Sequence, residues 1–315
     1  MKLRTSLLIH GLSLFVAHSG PAAGLSDRDF FYAGEALTQD MYIVKNGEIA
    51  WSYHNPGGKG EISDAVLISN GNVLFAHQYG VTLINASKKI LWNRDAPEGC
   101  EIHTAQPIGK ERVVYIENGP APRCVVVNIV TGKTEREFPL PVGNPKGTHG
   151  QFRHARLTGA GTLLVAHMDH DKVAEYDDRG KEIWSIPFPG PWAASRLENG
   201  HTLVSASRLI REFDKDGKAV WELTPDDFPD HEIKNFQLAT RLANGNTLLN
   251  NWVNPWDGPI DPATAPAQVL EVTPQKKVVW FLRSWEGKEN LGPSTTFQPL
   301  DSHPAPEDVH FGEFR

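Results

Sequence analysis

The hexapeptide Asn244-Gly245-Asn246-Thr247-Leu248-Leu249 returns as Asn199-Gly200-His201-Thr202-Leu203-Val204 and as Asn70-Gly71-Asn72-Val73-Leu74-Phe75. Looser copies are Ala160-Gly161-Thr162-Leu163-Leu164 and Glu111-Arg112-Val113-Val114-Tyr115. An internal repeat constrains the architecture before any single residue does, because each unit must bury its apolar face against copies of itself. Each copy opens a short apolar run after a turn. A second turn and strand follow, as in Asp216-Gly217-Lys218-Ala219-Val220-Trp221, and the units close on Trp51, Trp92, Phe138, Trp184, Trp221 and Trp280, which lie 37 to 59 residues apart. That spacing is the four-strand length of a propeller blade.

No stretch carries the sustained three- and four-residue apolar spacing of a long amphipathic helix, so the chain is expected to be all-β. Five complete units fall near residues 62–93, 101–138, 149–186, 192–223 and 235–282. The N-terminal piece supplies three strands around Phe30–Ala33, Tyr42–Lys45 and Glu48–Tyr53, and Thr295–Leu300 supplies one more. Joined, these predict a single β-propeller over residues 25–303 with six four-stranded blades, closed by strands from both ends and followed by a tail over 304–315; seven blades is the alternative. Such closure removes the exposed sheet edges that invite aggregation.

Residues 1–24 read as a secretory signal peptide: Lys2 and Arg4, an apolar stretch from Leu7 to Val16, then the small residues Ser19, Ala22, Ala23 and Gly24. The expected location is therefore secreted or periplasmic. Loss of Lys2 and Arg4 with this segment takes the formal charge from −7 to −9. That balance offers no electrostatic footprint for nucleic acid. No later run is long and apolar enough to span a membrane, and a monomer is expected. An oxidising compartment permits a disulfide between Cys100 and Cys124, but their placement on the first and third strands of one blade interposes a strand; the pairing stays open.

Comparison between units exposes a polar row: Arg156, Thr162, Glu175; Arg196, Thr202, Glu212; Arg241, Thr247, Glu271. Units lacking the arginine also lack the glutamate. A cross-strand row on one sheet face accounts for this, with the guanidinium spanning the threonine to reach the carboxylate. These residues are read as architecture.

The turns at one end of the blades are tight, whereas those at the other end are long and rich in histidine, arginine and tryptophan. Function concentrates on loops carried by a rigid scaffold. The candidate catalytic residues are His154, His103 and Arg153, and the candidate ligand-binding residues are His167, Arg208, Trp192, Trp252, Trp256 and His149. His154 stands out because Ala65, Ala105, Ala194 and Ala239 match it in other units. Imidazole titrates near neutral pH and suits proton transfer, arginine neutralises developing charge, and exposed tryptophan suits a sugar ring. The run His167-Met168-Asp169-His170-Asp171, with His149, could supply ligands to a divalent metal.

The repeat, best seen in Arg211-Glu212-Phe213-Asp214-Lys215-Asp216-Gly217-Lys218-Ala219-Val220-Trp221, resembles that of the PQQ-binding-like (quinoprotein-like) β-propeller family over most of residues 29–300. The quinone-dependent members of that superfamily are larger, generally eight-bladed, and set an adjacent cysteine pair over the cofactor. Without that pair here, no quinone cofactor is expected. The similarity to arylsulfate sulfotransferase propellers implies that a histidine and arginine centre at the axis is accessible to the fold. Three functions follow as expectations: a binding protein for a small polar ligand or oligosaccharide, a polysaccharide lyase or other carbohydrate-active enzyme using the same cleft, or an envelope scaffold for other proteins.

Overall fold

The glycines of the recurring turn take the left-handed backbone that an L side chain adopts only with strain: φ is 82° at Gly71, 75° at Gly161, 82° at Gly200 and 86° at Gly245. Each turn joins the first and second strands of a blade. The computed structural model describes residues 25, 28–34, 39–56, 58–301 and 305–315, so the signal peptide assigned to 1–24 lies outside the described residues.

The first blade contains β1 (Phe30–Gly34), β2 (Asp40–Lys45) and β3 (Glu48–His54). The second contains β4 (Asp64–Leu67), β5 (Val73–Ala76), β6 (Gly80–Ile84) and β7 (Ile90–Asp95), and the third β8 (Glu101–Ile108), β9 (Arg112–Asn118), β10 (Arg123–Asn128) and β11 (Thr134–Pro139). The fourth contains β12 (Phe152–Leu157), β13 (Leu163–His167), β14 (Lys172–Tyr176) and β15 (Glu182–Pro187). The fifth has β16 (Pro191–Arg196), β17 (Thr202–Ala206), β18 (Leu209–Phe213) and β19 (Ala219–Leu223), and the sixth β20 (Phe236–Arg241), β21 (Thr247–Asn251), β22 (Val269–Val272) and β23 (Val278–Leu282). Finally β24 (Ser294–Pro299) pairs antiparallel with β1, Phe30 opposite Pro299 and Tyr32 opposite Phe297. The result is six four-stranded antiparallel sheets in a ring, a six-bladed β-propeller closed by both chain ends.

Both faces of every blade pack on a neighbour, which is why second strands such as β5, β13, β17 and β21 are buried throughout while outer strands such as β11 and β15 alternate with solvent. Six apolar clusters result, each straddling two adjacent blades. Cys100 and Cys124 are both free, with β9 lying between their strands.

The arginine row holds blades to one another rather than spanning one blade. Arg196 of the fifth blade bonds Glu175 of the fourth, Arg241 of the sixth bonds Glu212 of the fifth at 2.7 Å, and Arg28 supplies the same contact to Glu271 of the sixth. Each guanidinium also lies over the closing tryptophan of the preceding blade: Arg196 on Trp184 at 4.5 Å, Arg28 on Trp280 at 4.8 Å and Arg241 on Trp221 at 5.3 Å. The threonine of the arginine's own blade joins at Thr202 and Thr247.

Arg156 does not belong to this row. In the fourth blade Leu157 opposes Leu163, as Arg196 opposes Thr202 and Arg241 opposes Thr247. The matching position is therefore Leu157, one residue later. Because side chains alternate with period two, that step places Arg156 on the other side of its strand, toward the axis. Thr162 likewise matches His201 and Asn246; all three bond the glutamate of their own blade.

The C-terminal segment is a strap rather than a loose tail. Phe311 is fully buried in the cluster between the third and fourth blades, the Glu307 carboxylate accepts from Ser69 N at 3.0 Å, and Gly312 N donates to Gly161 O at 2.9 Å. The tight-turn end of blades two to four is thus covered.

The inter-blade latch makes a quantitative expectation. Arg241→Ala strands the Glu212 carboxylate, 7% exposed, with only His201 Nδ1 at 2.7 Å beside it. Breaking such a pair costs roughly 3 kcal/mol, the low end of the buried range because Arg241 is partly solvated. Urea unfolding of the variant should show a lower midpoint at unchanged slope; an unaltered midpoint would contradict the role given to the latch.

Candidate functional site

The innermost strands β24, β4, β8, β12, β16 and β20 follow one another around the axis, and each has a hydrogen-bonding edge with no neighbouring strand. Backbone groups buried there need other partners. Polar side chains of the preceding blade supply them: Thr296 Oγ1 accepts from Ala65 N at 3.2 Å, Asp64 Oδ2 from Ala105 N at 3.3 Å and Thr104 Oγ1 from Ala155 N at 3.0 Å. Gln298 accepts from Leu67 N at 2.9 Å and Gln106 from Leu157 N at 2.8 Å.

His154 belongs to this buried layer. Ala155 opposes Val165 as Ala194 opposes Val204 and Ala239 opposes Leu249, so Ala155 is the residue that matches the alanines, and His154 matches Asp64 and Thr104. The comparison that set His154 against Ala65, Ala105, Ala194 and Ala239 was one residue out of frame. His154 is 1% exposed, with Nδ1 3.8 Å from Asp64, which Arg156 clasps through both nitrogens at 2.7 and 2.8 Å. Burial pushes the Asp64 carboxyl up, but Arg156 and His154 outweigh it and hold it below its ordinary value; burial lowers His154.

Two residues before each alanine, toward the long-loop end, stand Ser63, His103, Arg153, Trp192 and Gln237. In β8, β12, β16 and β20 the pairing slips at this point through a β-bulge. Bulges re-aim side chains where a strand ends. On one half of the ring they bring together a polar cluster. His103, fully buried, places Nδ1 at 3.0 Å from Glu61, 2.8 Å from Ser63 Oγ and 3.1 Å from Arg153 Nη1, and Nε2 at 2.7 Å from Glu101. Glu101 Oε2 also meets His149 Nδ1 at 2.9 Å, and its other oxygen accepts from Gln78 at 3.1 Å. Arg153 bonds Glu61 through Nη1 and reaches His149 Nε2 with Nη2 at 2.6 Å.

Guanidinium can only donate. His149 Nε2 therefore faces Arg153 as an acceptor and its Nδ1 carries a hydrogen that Glu101 accepts, as does Nε2 of His103; His103 Nδ1 lies between the Arg153 donor and the Glu61 carboxylate. Burial raises the Glu101 carboxyl, but the hydrogen bonds from His103 and His149 outweigh it and leave it below the ordinary range. His149 is the solvent-facing member, its side chain 52% exposed.

On the other half of the ring, Trp192 packs edge-on against Trp252 with centroids 5.6 Å apart. Trp256 is exposed on the excursion that follows. A cleft of about 410 Å³ beside Trp252 is lined by Glu232, Lys234, Asn235, Asn254, Asp257 and Asp261, and a more apolar one of about 350 Å³ lies on the far side of the same excursion. Arg208 donates to Ile233 O at 3.0 Å and fastens the loop below this cleft.

His167 sits elsewhere. Its Nδ1 donates to Pro141 O at 3.2 Å and its Nε2 accepts from Tyr176 Oη at 2.9 Å. Burial, with Lys172 nearby, pushes its pKa down to about 3. In the run it opens, Asp169 accepts from Asn144 N and Asp171 from Gly190 N, each at 2.8 Å. Of the expected residues, His103, Arg153 and His149 converge, Trp192 and Trp252 meet, and His154, His167 and Arg208 do not join them. Glu61, Ser63, Gln78 and Glu101 were not anticipated. Glu61 and Glu101 each lie four residues before the repeated alanine, and a position-by-position comparison of blades would have found them.

The ring and its repeats define a six-bladed β-propeller of the PQQ-like repeat type. Residues 140–282, the last three complete blades and less than half of the chain, match a family model described as outer membrane protein assembly factor BamB. A protein of unknown function from Bacteroides caccae is similar in structure at 22% identity and a TM-score of 0.74, over 87% of this chain and 99% of that one. A catalytically inactive histidine-to-alanine variant of virginiamycin B lyase from Staphylococcus aureus, with quinupristin, is similar at 14% identity and a TM-score of 0.57, over 86% and 90%. These likenesses show the fold. No match was found among curated proteins. Among the described residues, no helix is long and apolar enough to cross a membrane.

The depressed His167 has a measurable consequence. Its folded value lies below the roughly 6.5 of an unfolded histidine, so the unfolded chain binds the extra proton first. The resulting stability is complete above about pH 6.5 and is lost as pH falls toward 3, with a slope of up to about 1.4 kcal/mol per pH unit. Replacement His167→Gln should flatten the fall in unfolding free energy between pH 6 and pH 4 relative to the parent; parallel curves would refute the assignment.

Proposed function

We propose that the protein is an exported propeller that binds a polar ligand across the long-loop mouth, and that a glycan fragment is the ligand class that fits. The observation that carries this reading is the ring of equivalent strand-end positions, which carries the wired His103 and Arg153 on one half of the mouth and Trp192, packed on Trp252, on the other. Tryptophan faces suit the apolar side of a sugar ring, and the polar groups of the adjoining 410 Å³ cleft suit its hydroxyls. The leader read in residues 1–24 and the match to an outer membrane assembly factor support an envelope location.

A lyase acting at the same mouth is the second reading. His154 and His103 are both shut beneath the surface, so the proton-accepting role passes to His149, which Glu101 orients and solvent reaches. A scaffold role draws instead on Leu91, Ile183, Val220 and Val279, apolar residues exposed on outer strands just before the closing tryptophans.

Isothermal titration against neutral and acidic oligosaccharides should give saturable heat with at least one of them. Trp192→Ala should weaken that binding about tenfold, as expected for one lost stacking contact. Ultraviolet absorbance of the same mixtures reports unsaturated product, and His149→Ala should abolish any such signal. Absence of heat and of absorbance across the panel would remove the glycan reading.

A further inference from the structure

Glu61, His103 and His149 come from three blades, and their nearest ligand atoms all lie within 4.8 Å of one another. Three ligand atoms therefore surround one spot, and the Arg153 guanidinium reaches all three there. Behind them, a single oxygen of Glu101 accepts from His103 Nε2 at 2.7 Å and from His149 Nδ1 at 2.9 Å. A carboxylate holding the far nitrogen of an imidazole fixes its tautomer and aims its lone pair, which is the outer-shell arrangement around metal-bound histidine. Here one carboxylate does this for two rings at once, and Gln78 fixes that carboxylate in turn.

We propose that Glu61, His103 and His149 form a divalent-cation site of the zinc type, with the Arg153 guanidinium occupying the cation position until a metal displaces it. Two imidazoles and one carboxylate favour a borderline metal over magnesium or calcium. Tetrahedral zinc, with bonds of about 2.0 to 2.2 Å, wants its ligand atoms roughly 3.4 Å apart. The buried Glu61 and His103 already meet at 3.0 Å, so the adjustment falls on the solvent-facing His149. Arg153, 17% exposed at its side chain, leaves toward the mouth. Three protein ligands leave one position of four, which a water or a donor group of the ligand takes. The inference deepens the reading of the mouth as the functional end and rests on that reading, but not on the ligand being a glycan.

Chelator-treated protein titrated calorimetrically with zinc chloride, in the absence of any sugar, reads the metal alone. The parent should bind one zinc per chain. His149→Ala should weaken binding by at least about tenfold, and Glu101→Gln, which leaves all three ligands in place, by about 10- to 100-fold. Arg153→Met removes the competing cation and should tighten it by at least about tenfold. Circular dichroism of each variant checks folding, and cobalt substitution should give the visible absorption of a site with nitrogen ligands. No one-to-one binding by the parent, an isotherm unchanged in His149→Ala, or affinity that Arg153→Met fails to raise overturns the proposal. A zinc isotherm without sugar binding leaves the metal site standing and removes only the glycan.

Discussion

Each four-stranded blade has two strand edges, and the inner edges of all the blades face the same narrow axis. Backbone amides there are buried and must find partners. From the first blade to the fourth the partner is a polar side chain of the blade before: Thr296, Asp64 and Thr104 in one layer, Gln298 and Gln106 in the next. From the fourth blade round to the first, Arg196, Arg241 and Arg28 clasp glutamate and tryptophan farther out. The ring is thus held by two devices, each serving about half of the circle.

The candidate site grows out of the first device. The blades whose inner strands are polar for structural reasons are those that carry Glu61, Ser63, Glu101, His103 and Arg153 above the seal. Buried carboxylates and imidazoles tolerate that place because every one is engaged with another, and an uncompensated charge would be costly. Bulges at the ends of the inner strands then turn the last side chains toward the mouth. Where the seal is apolar, as at Ala193 and Leu238, the equivalent positions above it are Trp192 and Gln237 rather than charged groups.

The blade count and the shared closing sheet were legible from the chain, because turns and period-two burial are local signals, whereas His103, Arg153, His154, His167 and Trp192, read as loop residues, stand on strands β8, β12, β13 and β16. Contacts between blades were not legible. The row containing Arg196 and Glu212 was visible as covariation between units, but sequence order alone does not say whether an arginine reaches its own blade or the one before. Frame was the second obstacle: Gly161-Thr162-Leu163 matches Gly200-His201-Thr202, and the eye that aligned the two threonines displaced His154 and Arg156 by one position. In a strand, one position exchanges the two faces. Isolated acidic residues such as Glu61, before β4, and Glu101, at the start of β8, carry no signal in the sequence until their histidine partners are placed.

The split first blade and the strap have a consequence for synthesis. Strand β1 emerges early, yet its partner β24 and the anchoring Phe311 follow more than 260 residues later. Until residues near 294–311 are available, a ribosome-bound chain leaves the inner edge of β1 unpaired and the cleft between blades three and four open. Closure of the ring in a late step follows from this wiring, since the first blade is completed only by the last strand.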